Sequence, residues 1–127
     1  MKILVVDRNS DQIETICRGL SLSGYTNISA HNCDEAREVL RNDSDNSINL
    51  VITDIAAENS RNGLDLIENI LEERPAIKII VTTGLKEIPG IEKIRKLGIP
   101  VLRKPFSHEN LGDSIRTLFM EESRESA

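Results

Sequence analysis

No segment of this 127-residue chain is long and apolar enough to cross a bilayer. The longest apolar stretches, such as Ile3-Leu4-Val5-Val6, fall far short of the roughly 18 residues a span needs. A secretory leader is not expected either, because Met1 runs straight into a strand-like segment with no small-residue cleavage site; the expected location is cytoplasmic. Basic residues are outnumbered, 16 against 21 acidic for a net charge of −5. No stretch of Lys and Arg is dense enough to track a phosphate backbone, which argues against direct nucleic-acid binding. Cys17 and Cys33, the two cysteines, lack CxxC spacing, so neither a disulfide framework nor a metal knuckle is expected and both read as small buried thiols. What the chain does have is core material: Leu, Ile, Val and Phe make up about 30% of it, above the roughly 20% below which disorder is expected. Its length points to one domain rather than two.

Short β-branched runs alternate with amphipathic segments, the pattern of a parallel sheet wrapped by helices. Lys2 to Asp7 is apolar enough to be a strand covered on both faces. Asn9 or Ser10 then caps a helix, Asn9 with Gln12 fitting a capping box, with Ile13, Ile16, Cys17 and Leu20 as its inner stripe and Gly24 as its stop. Thr26 to Ala30 is the second strand. Asn32 and Glu35 fit a capping box for a helix through Ala36, Val39 and Leu40. Ile48 to Thr53 is the third strand, followed by a helix from about Gly63 to Arg74 that turns Leu64, Ile67, Ile70 and Leu71 inward. Ile77 to Thr82, a short helix from Pro89 to Leu97 ended by Gly98, and Pro100 to Leu102 complete the strand series. Ser107 caps the last helix, which carries Leu111, Ile115, Leu118 and Phe119; from Glu121 a charged tail is expected to fray.

In open α/β sheets ligands bind beyond the carboxyl ends of the strands. Here those ends supply Asp7, Asp54, Thr82 with Thr83, and Lys104 before Pro105. Singly each has a bland explanation, as a turn former, a helix cap or a solvated amine. Together, in a sheet ordered 2-1-3-4-5, they converge on one pocket.

The runs ILVVD (Ile3 to Asp7), LVITDI (Leu50 to Ile55), IIVTTG (Ile79 to Gly84) and LRKPF (Leu102 to Phe106) resemble the receiver domain of two-component response regulators over roughly residues 1–120. The spacing carries the specificity: Asp7 to Asp54 is 47 residues, Asp54 to Thr83 is 29 and Thr83 to Lys104 is 21. The resemblance implies a doubly wound, flavodoxin-like (βα)5 sheet in residues 1–120 with residues 121–127 as the tail. It also implies phosphoryl transfer onto Asp54 from a histidine kinase or histidine phosphotransfer protein, a switch module rather than a turnover enzyme. On the same analogy Lys104 supplies an ammonium, Thr83 a hydroxyl and Gly84 an amide, while Asp7, Asp54 and the carbonyl of Ala56 ligate magnesium. A downstream effector or fused output domain is the implied partner, and homodimerisation stays open.

Three departures stand against the family pattern. Arg8 occupies the place of a second acidic residue, a change of about two charge units that weakens divalent-ion binding; it either pairs with Asp54 or an attached phosphate, or points to solvent. The loop after Asp54 reads AAENSRNG, one residue longer than usual and without proline, so Glu58 either replaces a metal carboxylate or repels the phosphoryl group. Val101 stands where an aromatic commonly reorients on activation, and otherwise reads as core. His31 and His108 default to surface roles. The competing reading is a pseudo-receiver, a phosphorylation-independent interaction module. A haloacid dehalogenase-type phosphatase is denied by Asp7-Arg8-Asn9, and a flavodoxin-like FMN site by the lack of a Ser/Thr/Gly-rich loop after the first strand.

Overall fold

The computed structural model describes residues 1–55, 60–88 and 90–126, with 60–62 and 121–126 described by backbone alone. Five strands alternate with five helices: β1 (Lys2–Val6), α1 (Ser10–Leu22), β2 (Thr26–Ala30), α2 (Cys33–Asn42), β3 (Ile48–Asp54), α3 (Ser60–Glu73), β4 (Lys78–Thr83), α4 (Ile91–Lys96), β5 (Val101–Arg103) and α5 (His108–Ser126). The strands form one sheet in the order β2-β1-β3-β4-β5, and every pairing is parallel. The doubly wound, flavodoxin-like fold expected from the sequence is therefore present.

Strand alternation divides the core in two. Leu4, Val6, Val51, Ile79 and Val81 pack on one face against Ala36 of α2, Leu66, Ile67 and Ile70 of α3 and Ile94 of α4. Ile3, Val5, Leu50, Ile52 and Ile80 pack on the other against Ile16 and Leu20 of α1 and Leu111 and Ile115 of α5. Because β1 and β3 lie inside the sheet and feed both clusters, neither has a solvent face; hence their unbroken apolar runs.

Local chemistry starts and stops the helices where expected. Asn9 and Asn32 accept from the backbone amides of Gln12 and Glu35 at 3.0 and 2.8 Å, and Ser107 accepts from Asn110 at 3.0 Å. Gly24 and Gly98 take positive φ just past α1 and α4. Strand ends shift by at most one residue, and two helix boundaries differ by three residues or more. α3 begins at Ser60, three residues before the expected Gly63, and α5 continues as helix to Ser126, past Glu121, because no glycine or proline interrupts 121–126. Pro89 lies outside the described residues, and α4 starts at Ile91, two residues after the expected Pro89, because Gly90 before it is in the left-handed region.

Gly63 is not merely tolerated in α3. A Cβ there would lie 2.1 Å from the carbonyl oxygen of Ile55, so the first turn of α3 is laid directly on the backbone that follows Asp54. Gly63→Ala gains helix propensity of about 1 kcal/mol, yet it forces backbone apart, an overpacking of about 1–3 kcal/mol. A net loss of stability is expected, read as a lower urea midpoint.

At the opposite end of the sheet, Asp43 closes the α2–β3 connection. Its side chain is only 5% exposed and pairs with Arg74 at 2.9 Å, while its carboxylate accepts from the amides of Ser47 and Ile48 at 3.1 and 3.0 Å and from the Ser47 hydroxyl. Burial alone would raise its pKa; the Ser47 hydroxyl, the two amides and Arg74 outweigh that and hold it far below the ordinary carboxyl range. A depressed folded-state pKa gives stability that is complete above the unfolded value of about 3.9 and is lost as the pH falls through the folded value. Asp43→Asn should cost about 2–3 kcal/mol at pH 7. The gap between variant and native chain should shrink toward pH 3 when urea midpoints are compared.

Candidate functional site

Asp7 follows β1 directly, Asp54 ends β3, Thr83 ends β4 and Lys104 follows β5. The parallel sheet puts all four at its carboxyl edge. The Lys104 ammonium reaches Oδ2 of Asp7 at 2.7 Å and Oδ2 of Asp54 at 3.0 Å, so groups 97 and 50 residues away meet at one nitrogen. Burial of that nitrogen would lower its proton affinity; the hydrogen bonds and charges of the two carboxylates outweigh this and raise the Lys104 pKa above the ordinary lysine value. The amine therefore stays a cation throughout the physiological range.

The two carboxylates are not equivalent. The Asp7 side chain is 2% exposed and Asp54 13%. Asp7 is held at both oxygens, Oδ2 by Lys104 and Oδ1 by the Asn9 amide at 2.9 Å, in an Asx turn that also sets the cap of α1. Asp54, the more exposed, is the carboxylate that an incoming group can reach. Thr83 is fully buried; its hydroxyl accepts from the Leu85 amide at 3.0 Å, and its carbonyl accepts from the Lys104 amide at 2.7 Å. The structure thus brings Asp7, Asp54, Thr83 and Lys104 to one edge as the sequence suggested.

Other expectations fare differently. Ala56 and Glu58 lie outside the described residues. A Cβ on Gly84 would meet nothing within 4 Å, so the space about Gly84 does not demand a residue that small. Arg8 is exposed beside Asp7. Val101 is half-buried and packs on the α2–α3–α4 side of the core. His31 is exposed and 3.7 Å from Glu35. His108 is also exposed, but its ring occupies the space of a Cβ on Gly19, a close approach of α5 to α1 that no sequence pattern announced. Cys33 is buried and Cys17 half-buried, with the Cys17 thiol pKa raised by burial.

Among the described residues no cluster of three or more His, Cys, Asp or Glu could hold a metal. Magnesium nevertheless requires few protein ligands, commonly one or two carboxylates with waters and phosphate oxygens completing its octahedron. Asp7 and Asp54 meet that minimum. Both already face Lys104, which competes for the same oxygens. Bound there, the ion would neutralise charge on phosphate oxygens.

A family model for the response regulator receiver domain matches residues 3–116. Among solved structures, a CheY-like response regulator receiver domain protein from Methanospirillum hungatei JF-1 aligns with a TM-score of 0.85 at 24% identity, covering 98% of this chain and 97% of that one. A response regulator receiver domain protein from Clostridium thermocellum gives 0.83 at 27% identity, with 96% of each chain covered. NtrX from Brucella abortus, solved in complex with ADP, gives 0.80 at 24% identity over 98% of this chain and 28% of its own. No curated protein matches the chain. No described helix is long and apolar enough to span a membrane. With the family model spanning most of the chain and the strand-end carboxylates and lysine in one site, the chain belongs to the response regulator receiver domain family.

Proposed function

We propose that this receiver domain accepts a phosphoryl group on Asp54 from a histidine kinase or histidine phosphotransfer protein, and that the acyl phosphate alters its contacts with an effector or fused output domain. A single observation carries the reading: Lys104 stands 3.0 Å from the more exposed of two carboxylates. In the transfer, a carboxylate oxygen of Asp54 attacks phosphorus, a P–O bond forms as the P–N bond of the phosphohistidine breaks, and the imidazole leaves with the bonding pair and takes up a proton. Such a transfer is governed by positioning and by neutralising charge on the equatorial phosphoryl oxygens. Lys104 is the cation for that task, and Asp7 fixes it by binding the same ammonium. Thr83, whose oxygen accepts from the Leu85 amide, contributes its hydroxyl hydrogen to a phosphoryl oxygen as it is drawn toward Asp54.

Intact-mass measurement after incubation with acetyl phosphate or a cognate kinase tests the assignment. The native chain should gain one phosphoryl mass and Asp54→Asn none. A native chain that takes no phosphoryl group from either donor favours the phosphorylation-independent interaction module, the reading that Arg8 and the lengthened loop after Asp54 support.

Magnesium binding is expected to be weak, because Arg8 supplies a cation in place of a carboxylate and Lys104 holds the Oδ2 atoms of Asp7 and Asp54. Arg8→Asp should tighten it at least tenfold, about 1.4 kcal/mol, by calorimetric titration. Equal affinities would show that Arg8 exerts no influence on the ion.

A further inference from the structure

The β4–α4 connection is tied to β5 at three successive points. The Lys104 amide donates to the Thr83 carbonyl at 2.7 Å. Nη1 of Arg103 donates to the Leu85 carbonyl at 2.8 Å and to that of Lys86 at 3.3 Å. Thr83 and Arg103 are register partners across β4 and β5, so their side chains leave the same face of the sheet, and Arg103 reaches forward along the chain that leaves Thr83. Leu85 is consequently held from both sides, its amide by the Thr83 hydroxyl and its carbonyl by Arg103.

This arrangement opposes the movement that the proposed chemistry needs. The Thr83 hydroxyl can keep accepting from the Leu85 amide while it turns its own hydrogen, but drawing its oxygen toward a phosphoryl group on Asp54 lengthens that bond and deprives the amide of its acceptor unless the loop follows. An orphaned amide is costly unless the loop shifts to find another partner. A shift of Leu85 and Lys86 works against the Arg103 bonds to their two carbonyls. Val101, β-branched and packed in the core, has few rotamers and no ring to exchange between positions, so the residue two places along β5 is the one with reach to the loop.

Resting on the phosphoacceptor reading above, we infer that Arg103 is a positioning residue that restrains the β4–α4 connection in its unphosphorylated arrangement and so sets how readily Thr83 turns to Asp54. It acts through Leu85 and Thr83 and touches no reacting atom. The restraint is reversible, since it consists of two solvent-accessible hydrogen bonds from one guanidinium.

Beryllium trifluoride, which mimics a phosphoryl group by forming a Be–O bond to a carboxylate in place of one of beryllium's fluoride or water ligands, provides the test. Its affinity in the presence of magnesium and the exchange rate of the Leu85 amide in its absence are measured for the native chain, Arg103→Ala and Arg103→Lys. Arg103→Ala should bind the mimic at least threefold more tightly and exchange the Leu85 amide at least threefold faster, with Arg103→Lys intermediate because a single ammonium can still reach one carbonyl. An urea midpoint within error of the native value, as for an exposed side chain, separates this effect from general destabilisation. Unchanged or weaker affinity in Arg103→Ala, in a native chain that does bind the mimic, overturns the inference and leaves the phosphoacceptor reading intact. A native chain that neither binds the mimic nor gains phosphoryl mass removes that reading, and the inference falls with it.

Discussion

Two carboxylates from different strands share the ammonium of Lys104, and the fold is the means by which they meet. β5 is separated from β3 by β4, about 10 Å at the usual strand spacing. The lysine therefore cannot meet Asp54 as a neighbouring-strand residue. It has to stand beyond the strand end and lean across the top of β4. Parallel strands in the order β2-β1-β3-β4-β5 place every carboxyl terminus at the same edge, which makes that reach possible. Without the lysine, Asp7, 2% exposed, would be a buried anion with only the Asn9 amide as a described neutralising partner, an arrangement of several kcal/mol. The same contact that arranges the chemistry also makes a buried acid tolerable at the end of a central strand.

The rest of the molecule serves that edge. Two apolar layers clamp the sheet, one under α1 and α5 and one under α2, α3 and α4, and leave the strands no freedom to slide. At the far end, Asp43 gathers two amides, a hydroxyl and a guanidinium and fixes the entry to β3, the strand that delivers Asp54. Gly63 lets α3 lie against the backbone of Ile55, the residue next to Asp54. The close contacts at Asp43 and at Ile55 contrast with the polar, revocable contacts holding the segment after Thr83.

Strands, helix caps and the four strand-end residues were legible because each leaves a local or periodic imprint: apolar runs for strands buried on both faces, Asn three residues before an amide it caps, and polar residues where those runs stop. The contacts that escaped were those in which two distant backbones approach. Gly63 reads as one more glycine in a helix until the Ile55 carbonyl is placed beside it, and Gly19 until the His108 ring fills the space of its missing Cβ. Asp43 sits in a polar run that looks like an ordinary loop, and its partner Arg74 is 31 residues on. Arg103 was hidden for another reason: a charged residue on an edge strand is an ordinary guard against aggregation, and only the two carbonyls in front of it give it a further role.

The three residues of the shortest strand and the lysine that follows it show how tightly these demands are combined. Val101 packs toward the α2–α3–α4 layer and Leu102 toward α1 and α5; Arg103 returns to the first side to hold the loop, and Lys104 carries the cation into the site. Because side chains alternate with a period of two, slipping β5 by one residue would turn Leu102 to the face of Val101 and carry Arg103 away from Leu85. The register is held by three pairs with β4, ending in Thr83 opposite Arg103, and is continued by the Lys104 amide on the Thr83 carbonyl. A change in Thr83 is thus felt directly by the strand that presents Lys104. Acid site and loop are coupled through one short, edge-exposed ladder whose weakest elements are its side-chain contacts, and that is where a signal of a few kcal/mol can act without disturbing the two cores beneath it.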